Sequence, residues 1–473
     1  MVRFNTININ TLVISKNNFK INFILIISAS LLTIISYLSF YPIIIGFFFF
    51  TLGNTVLSFN FLGGDQEKII FNRIYLIGFL VAGISSIYAN FLNDYIQLTS
   101  DPYGFFEMSI SDAKNLKITE IQILYEGAFA IYIWRSIYDF FFNIGFEKER
   151  YIGILFNVFQ YAMTAVVALK ITKNIYGNDL YRFKLLKNLF SFCGVFWLFS
   201  SIHIRDVMIL LILTLLTYIW INFLSNRKDF KNVNYLILSN ILISIIIFFL
   251  RGEFLFIPFI FLILYVLTII KFSNEKKKNI LFYIFILLCI TIIFYIGFEY
   301  GSKIIDILKI SNEGYRNLSD SVSSTNSLGM KIIVNQPIPI RLFLGSIYLF
   351  IFPIPIWSGF QLNSVYFLYI SLNTIFFIFF IPLLFLSFKM LFIKNNLKLF
   401  FLLTVSISFI FAISITSLEI RHLGVFLVPL FLVALYPNLR VKKTLVLYKK
   451  YLLFYFTFLV IIHLSWLLLK FLN

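Results

Sequence analysis

Three short polar segments interrupt otherwise apolar sequence, and each carries one arginine: SSIHIRD (Ser200 to Asp206), LRGE (Leu250 to Glu253) and TSLEIRH (Thr416 to His422). The first and third share a pattern, Ser or Thr, then Ser, apolar, polar, Ile and Arg, closed by Asp or His. Ionisable groups at the edge of a bilayer are costly, so their recurrence between apolar runs marks candidate functional sites. Lysine is the common cation elsewhere in this chain, yet arginine stands at all three positions. Its planar, permanently charged fork matches phosphate oxygens, so Arg205, Arg251 and Arg421 fit a pyrophosphate held at one membrane face. A polar hairpin turn neutralised by Asp206 or Glu253 uses the same residues, and sequence leaves both readings open.

Proton transfer near neutral pH points first to His422, which is adjacent to Arg421 and three residues after Glu419. Glu419, Glu253 and Asp101 are the other candidate acids or bases. Asp101 and Asp94 lie in NDYIQLTSDPYG, where a carboxylate could serve as a base or bind a metal, or simply belong to a solvated turn. Arg135 sits among Tyr132, Trp134 and Tyr138 on an amphipathic stretch suited to lipid or sugar. Arg341, before LFLGSIYLFIFPIPIW, adds a fourth cation or anchors that segment. His463, alone in the last apolar run, is expected to be a hydrogen-bonded packing residue. No metal or cofactor is expected: His203, His422 and His463 are scattered without HExxH spacing, and Cys193 and Cys289 lie in apolar runs without a CxxC.

The elements that position these groups follow from composition. Of 473 residues, 60% are hydrophobic and 13% charged, against about 25% charged in ordinary soluble domains, which excludes a water-soluble fold. Apolar runs long enough to cross a bilayer predict an all-α polytopic integral membrane protein with about thirteen transmembrane helices. The expected spans are residues 21–40, 42–59, 74–92, 151–169, 189–202, 207–224, 233–250, 254–270, 280–298, 365–388, 399–417, 423–436 and 451–469. Two more apolar stretches, 118–142 and 342–360, fit interfacial or re-entrant helices better. The first holds Glu120, Glu126, Arg135 and Asp139; the second holds Pro353, Pro355 and Trp357.

Charge then orients the bundle. With the N-terminus inside, 25 basic and five acidic residues fall on the cytoplasmic side, leaving 14 basic and 16 acidic outside. The formal net charge of +18 thus records orientation by the positive-inside rule and needs no nucleic-acid partner. A single transmembrane domain over 1–473 is expected, with two long outer loops, 93–150 and 299–364. Any chemistry belongs on that outer face.

In layout the chain resembles the bacterial O-antigen polymerase family (Wzy-type) and the EpsG kind of exopolysaccharide polymerase. The resemblance rests on SDPYGFFEMS in the first outer loop, the amphipathic ITEIQILYEGAFAIYIW, the IRD and LRGE hairpins, FPIPIW closing the second loop, and the final EIRH. It implies an inner-membrane enzyme joining undecaprenyl-pyrophosphate-linked oligosaccharide units on the periplasmic side. Its partners would be that glycolipid, membrane lipid, and a chain-length regulator and flippase of the same pathway. Arg205, Arg251 and Arg421 would grip pyrophosphate, and His422, or failing it Glu419, Glu253 or Asp101, would take the acceptor proton. Two other classes share parts of the layout: a flippase for lipid-linked oligosaccharide, and a glycosyltransferase using a polyprenyl-phosphate sugar.

Overall fold

The computed structural model describes residues 9–472 except 60–62, 92–99, 111–126, 226–229, 255–256, 273–332, 334–335, 361–363, 394–395 and 416–417. The described residues form helices and turns with no strand. Among the described residues eight helices are long and apolar enough to cross a membrane, so the chain is a polytopic helical membrane protein. The expected span at 280–298 and most of the second long loop lie outside the described residues.

The helices are α1 (Ile9–Tyr37), α2 (Tyr41–Val56), α3 (Asp65–Phe91), α4 (Ser100–Ile110), α5 (Ala128–Asn143), α6 (Arg150–Tyr176), α7 (Leu180–Phe192), α8 (Gly194–Phe199), α9 (Asp206–Ser225), α10 (Phe230–Leu250) and α11 (Ile257–Phe272). After the undescribed stretch come α12 (Ile338–Ile351), α13 (Val365–Ile393), α14 (Leu397–Ile415), α15 (Ile420–Gly424), α16 (Leu427–Ala434) and α17 (Lys442–Leu472). The chain forms two compact units, one of residues 1–218, 249–252 and 359–369, the other of 219–248, 253–358 and 370–473.

In the first unit α3 packs along α1 and α6. Their polar ends explain the register. Glu67, in the first turn of α3, pairs with Lys173, in the last turn of α6, at 2.6 Å, each charge sitting where it offsets its own helix dipole. The two helices are therefore antiparallel. At the opposite end of this pair, where α6 begins, α4 packs on α5 and α5 on α6. The expected span 189–202 is a broken helix: α7 carries Arg182, Lys184 and Lys187, the chain is extended at Cys193 (φ −74°, ψ 111°), and α8 resumes at Gly194. Counting apolar residues could not find this break, because Cys193 and Gly194 interrupt hydrogen bonding without interrupting hydropathy.

In the second unit α14 packs against α11, α12 and α16. The expected span 423–436 is likewise two pieces, α15 and α16. The stretch 342–360 is helical only to Ile351, and a short 3₁₀ segment, Ile356–Phe360, follows the prolines, as their missing N–H donors require. Large side chains such as Leu453, Phe454 and Leu468 on α17 are exposed. So much apolar surface on one helix is compatible with lipid, not with water.

Candidate functional site

The IRD hairpin is held by α6. Asn157, fully buried in the middle of that helix, donates its two amide hydrogens to the carbonyls of Ile202 and Ile204, each at 3.1 Å. One turn earlier, a Cβ on Gly153 would overlap the His203 ring and the Tyr138 hydroxyl, so only glycine lets the hairpin sit this close. Ser200 and Ser201 turn their hydroxyls back onto the carbonyls of Phe196 and Leu198. The segment is consequently a packed, internally bonded turn, with Ile204 and Asp206 buried and Arg205 half-buried.

Arg205 leaves this turn to lie over the Phe105 ring of α4, 5.3 Å from its centre. Two other arginines grip the same helix. Arg150, at the start of α6, lies 5.7 Å over Phe106, and Arg135 of α5 donates to the Met108 carbonyl at 2.7 Å. Asp101, exposed in the first turn of α4, is one turn before Phe105 and shares its face of the helix. The structure thus gathers Arg205, Arg135 and Asp101 around α4, and adds Arg150, which in the sequence only marked the end of the first long loop. Arg251, buried, immediately follows α10 and belongs to the same unit.

The second unit gathers the remaining candidates. Arg341 is 3% exposed on α12, and its Nε faces the Ser414 carbonyl at 3.4 Å. Gly345, one turn on, lies against Leu418 and Ser414, while the Ser346 and Ser414 hydroxyls stand 3.0 Å apart. These contacts bring α12 onto the end of α14 and the turn that follows, where Leu418 has φ +52°. Glu419 caps α15 with extended backbone. Its Oε2 lies 3.6 Å from Arg421 Nε and 3.8 Å from His422 Nε2. His422 is buried, so its imidazole faces a carboxylate away from bulk water, the setting in which a carboxylate orients a general base. Glu253 falls in the 3₁₀ turn Gly252–Phe254; Asp94 lies outside the described residues.

The FPIPIW element is fixed by two helices. Thr374 of α13 donates to the Phe352 carbonyl, and Tyr455 of α17 donates to that of Phe350 at 3.1 Å. His463 bridges the Leu459 carbonyl, 2.7 Å from Nδ1, and the Ile356 N–H, 3.1 Å from Nε2. The carbonyl demands a donor and the amide an acceptor, so His463 is neutral with its proton on Nδ1. His463 is thus the hydrogen-bonded packing residue expected from the sequence, whereas Asn157 and Gly153 were given no role there. The available signal was a polar residue deep in an apolar helix, with Gly153 one turn before Asn157 in α6.

Among the described residues no three His, Cys, Asp or Glu side chains form a metal-binding group. No protein-family model, curated protein or solved structure matches the chain.

Proposed function

We propose that this protein is a bacterial inner-membrane glycosyltransferase that polymerises undecaprenyl-pyrophosphate-linked oligosaccharide units on the periplasmic face, with its N-terminus cytoplasmic. The observation that carries the proposal is the cluster in the second unit. Arg341, held against Ser414, stands on the helix that packs against the turn bearing Glu419, Arg421 and His422. A glycosyl transfer from a polyprenyl pyrophosphate needs cations for the leaving group and a base for the acceptor, and this turn supplies both within three residues.

In the reaction, the acceptor hydroxyl forms a new bond to the anomeric carbon as the bond from that carbon to pyrophosphate oxygen breaks. Arg421 and Arg341 neutralise charge growing on the departing pyrophosphate; Arg205 and Arg251, in the first unit, are separate candidates for a pyrophosphate. His422 Nε2 takes the acceptor proton, and Glu419 stabilises the imidazolium that results. Asp101 and Glu253 are the remaining candidates for that proton. Arg135 fixes α4 through the Met108 carbonyl. Lipid surrounds the bundle, and a chain-length regulator and flippase act beside it.

Deletion of the gene in the native bacterium tests this directly. Surface polysaccharide is expected to shrink to core plus a single repeat unit; loss of even that unit indicates a flippase instead. Complementation with Arg421→Ala or Arg341→Ala at wild-type protein level is expected to leave chains at one unit. Normal long chains from both variants would sink the assignment of pyrophosphate to this cluster.

A further inference from the structure

The α5 helix covers a group that the reaction above does not use. His203 is 1% exposed, and neither ring nitrogen has a hydrogen-bond partner in another described residue. Its ring stacks on Trp134 of α5 with centroids 4.0 Å apart, and Tyr138 and Phe106 lie at 6.0 and 6.1 Å. The indole N–H of Trp134, also buried, likewise lacks a partner among the described residues. An unmet buried donor or acceptor is costly, so a site that retains an imidazole and an indole in this condition calls for a use.

Glycines bound the cover. Gly127 and Gly145, at the two ends of α5, both have positive φ, +96° and +95°, a conformation other residues adopt only with strain. Between them the helix is two-faced. Ala130, Trp134, Tyr138 and Phe141 are buried, whereas Tyr132, Phe140 and Phe142 are exposed. The hairpin beneath stays put, because Asn157 holds the carbonyls on either side of His203. Displacement of α5 would part Trp134 and Tyr138 from His203 and open a space between aromatic faces and an imidazole, at the end of the first unit where α6 begins.

We infer that α5 is a hinged cover over a second ligand site, in which His203, Trp134 and Tyr138 receive a sugar ring of the glycan. Aromatic faces suit the apolar face of a pyranose, and the unmet imidazole and indole nitrogens suit its hydroxyls. This rests on the glycosyl-transfer reading and adds His203 to it as a residue that binds the glycan.

Two measurements test it. With Cys193 and Cys289 changed to Ser, His203→Cys is treated with a maleimide in folded protein, with Tyr132→Cys as the exposed control. An open state populated at 0.1–10% predicts labelling about 10- to 1,000-fold slower than the control; no labelling of folded protein, with full labelling after denaturation, overturns the cover. Next, His203→Phe, which keeps the ring and removes both nitrogens, is used to complement the deletion strain. The expected result is at least a tenfold loss of long chains at wild-type protein level and undiminished heat stability, and wild-type chains overturn the sugar site. A deletion strain with unchanged polysaccharide overturns the polymerase reading and the sugar assignment together. The labelling result stands apart from it.

Discussion

The same imidazole chemistry is set differently at three histidines by what lies around each ring. His463 is pinned between a carbonyl and an amide, His422 faces a carboxylate, and His203 faces neither. Burial, aided by the Arg150 charge, pushes the His203 pKa down to about 3, from about 6.5 in an unfolded chain. The sign follows from linkage. Below pH 6.5 the unfolded chain takes a proton at this position that the folded chain refuses, so stability falls with acidification by up to about 1.4 kcal/mol per pH unit until pH 3 is approached. The melting temperature in detergent is expected to drop more steeply between pH 6.5 and 4.5 for the wild type than for His203→Phe, and parallel curves would refute this. At Arg421 the question is shape against charge. If the pyrophosphate is gripped by a bidentate fork, Arg421→Lys should restore chain length only partly relative to Arg421→Ala, as read on polysaccharide gels.

At the scale of elements, helices α6 and α17 act as clamps on turns that are remote in sequence. Replacing Asn157 by Leu removes the side-chain donor to the Ile202 and Ile204 carbonyls; Ile202 keeps the Ile204 N–H as a donor, whereas the Ile204 carbonyl loses the amide that met it. The expected loss is about 1–3 kcal/mol for the one carbonyl left unmet, seen as a lower melting temperature, with Arg205 displaced and chains shortened. Gly153→Ala should act on the same turn by a different route, since the added Cβ overlaps His203 and Tyr138. If either variant melts and functions like wild type, α6 does not hold the hairpin. At the other clamp, His463→Ala removes the acceptor for Ile356 N–H, and faster amide hydrogen exchange over residues 356–360 is the expected readout. The α6 clamp explains why Arg205 sits on a turn and still has a defined position. The IRD turn and the Pro-rich element are bonded into neighbouring helices.

At the scale of the whole molecule, charge and hydropathy dominate. The +18 net charge separates by side in the expected topology, and that yields a direct test. Single cysteines at Glu147 and Asn178, exposed near opposite ends of α6, placed in a background lacking the native cysteines, should divide cleanly. A membrane-impermeant thiol reagent applied to spheroplasts is expected to label position 147 and spare 178, and the reverse pattern inverts the topology. By itself the sequence determined that the chain is helical and crosses a bilayer many times, because hydropathy over about 20 residues is a local property. It also picked out the Arg-bearing turns, because charge at a membrane edge is conspicuous in one dimension. It could not show that residues 180–199 and 420–434 are broken helices, since a backbone break at Cys193 or between Gly424 and Leu427 leaves hydropathy unchanged. Nor could it join Arg341 to Ser414, Asn157 to the IRD turn or His463 to the Pro-rich element. Those pairs lie 45 to 107 residues apart, and only helix packing in three dimensions decides which polar groups meet.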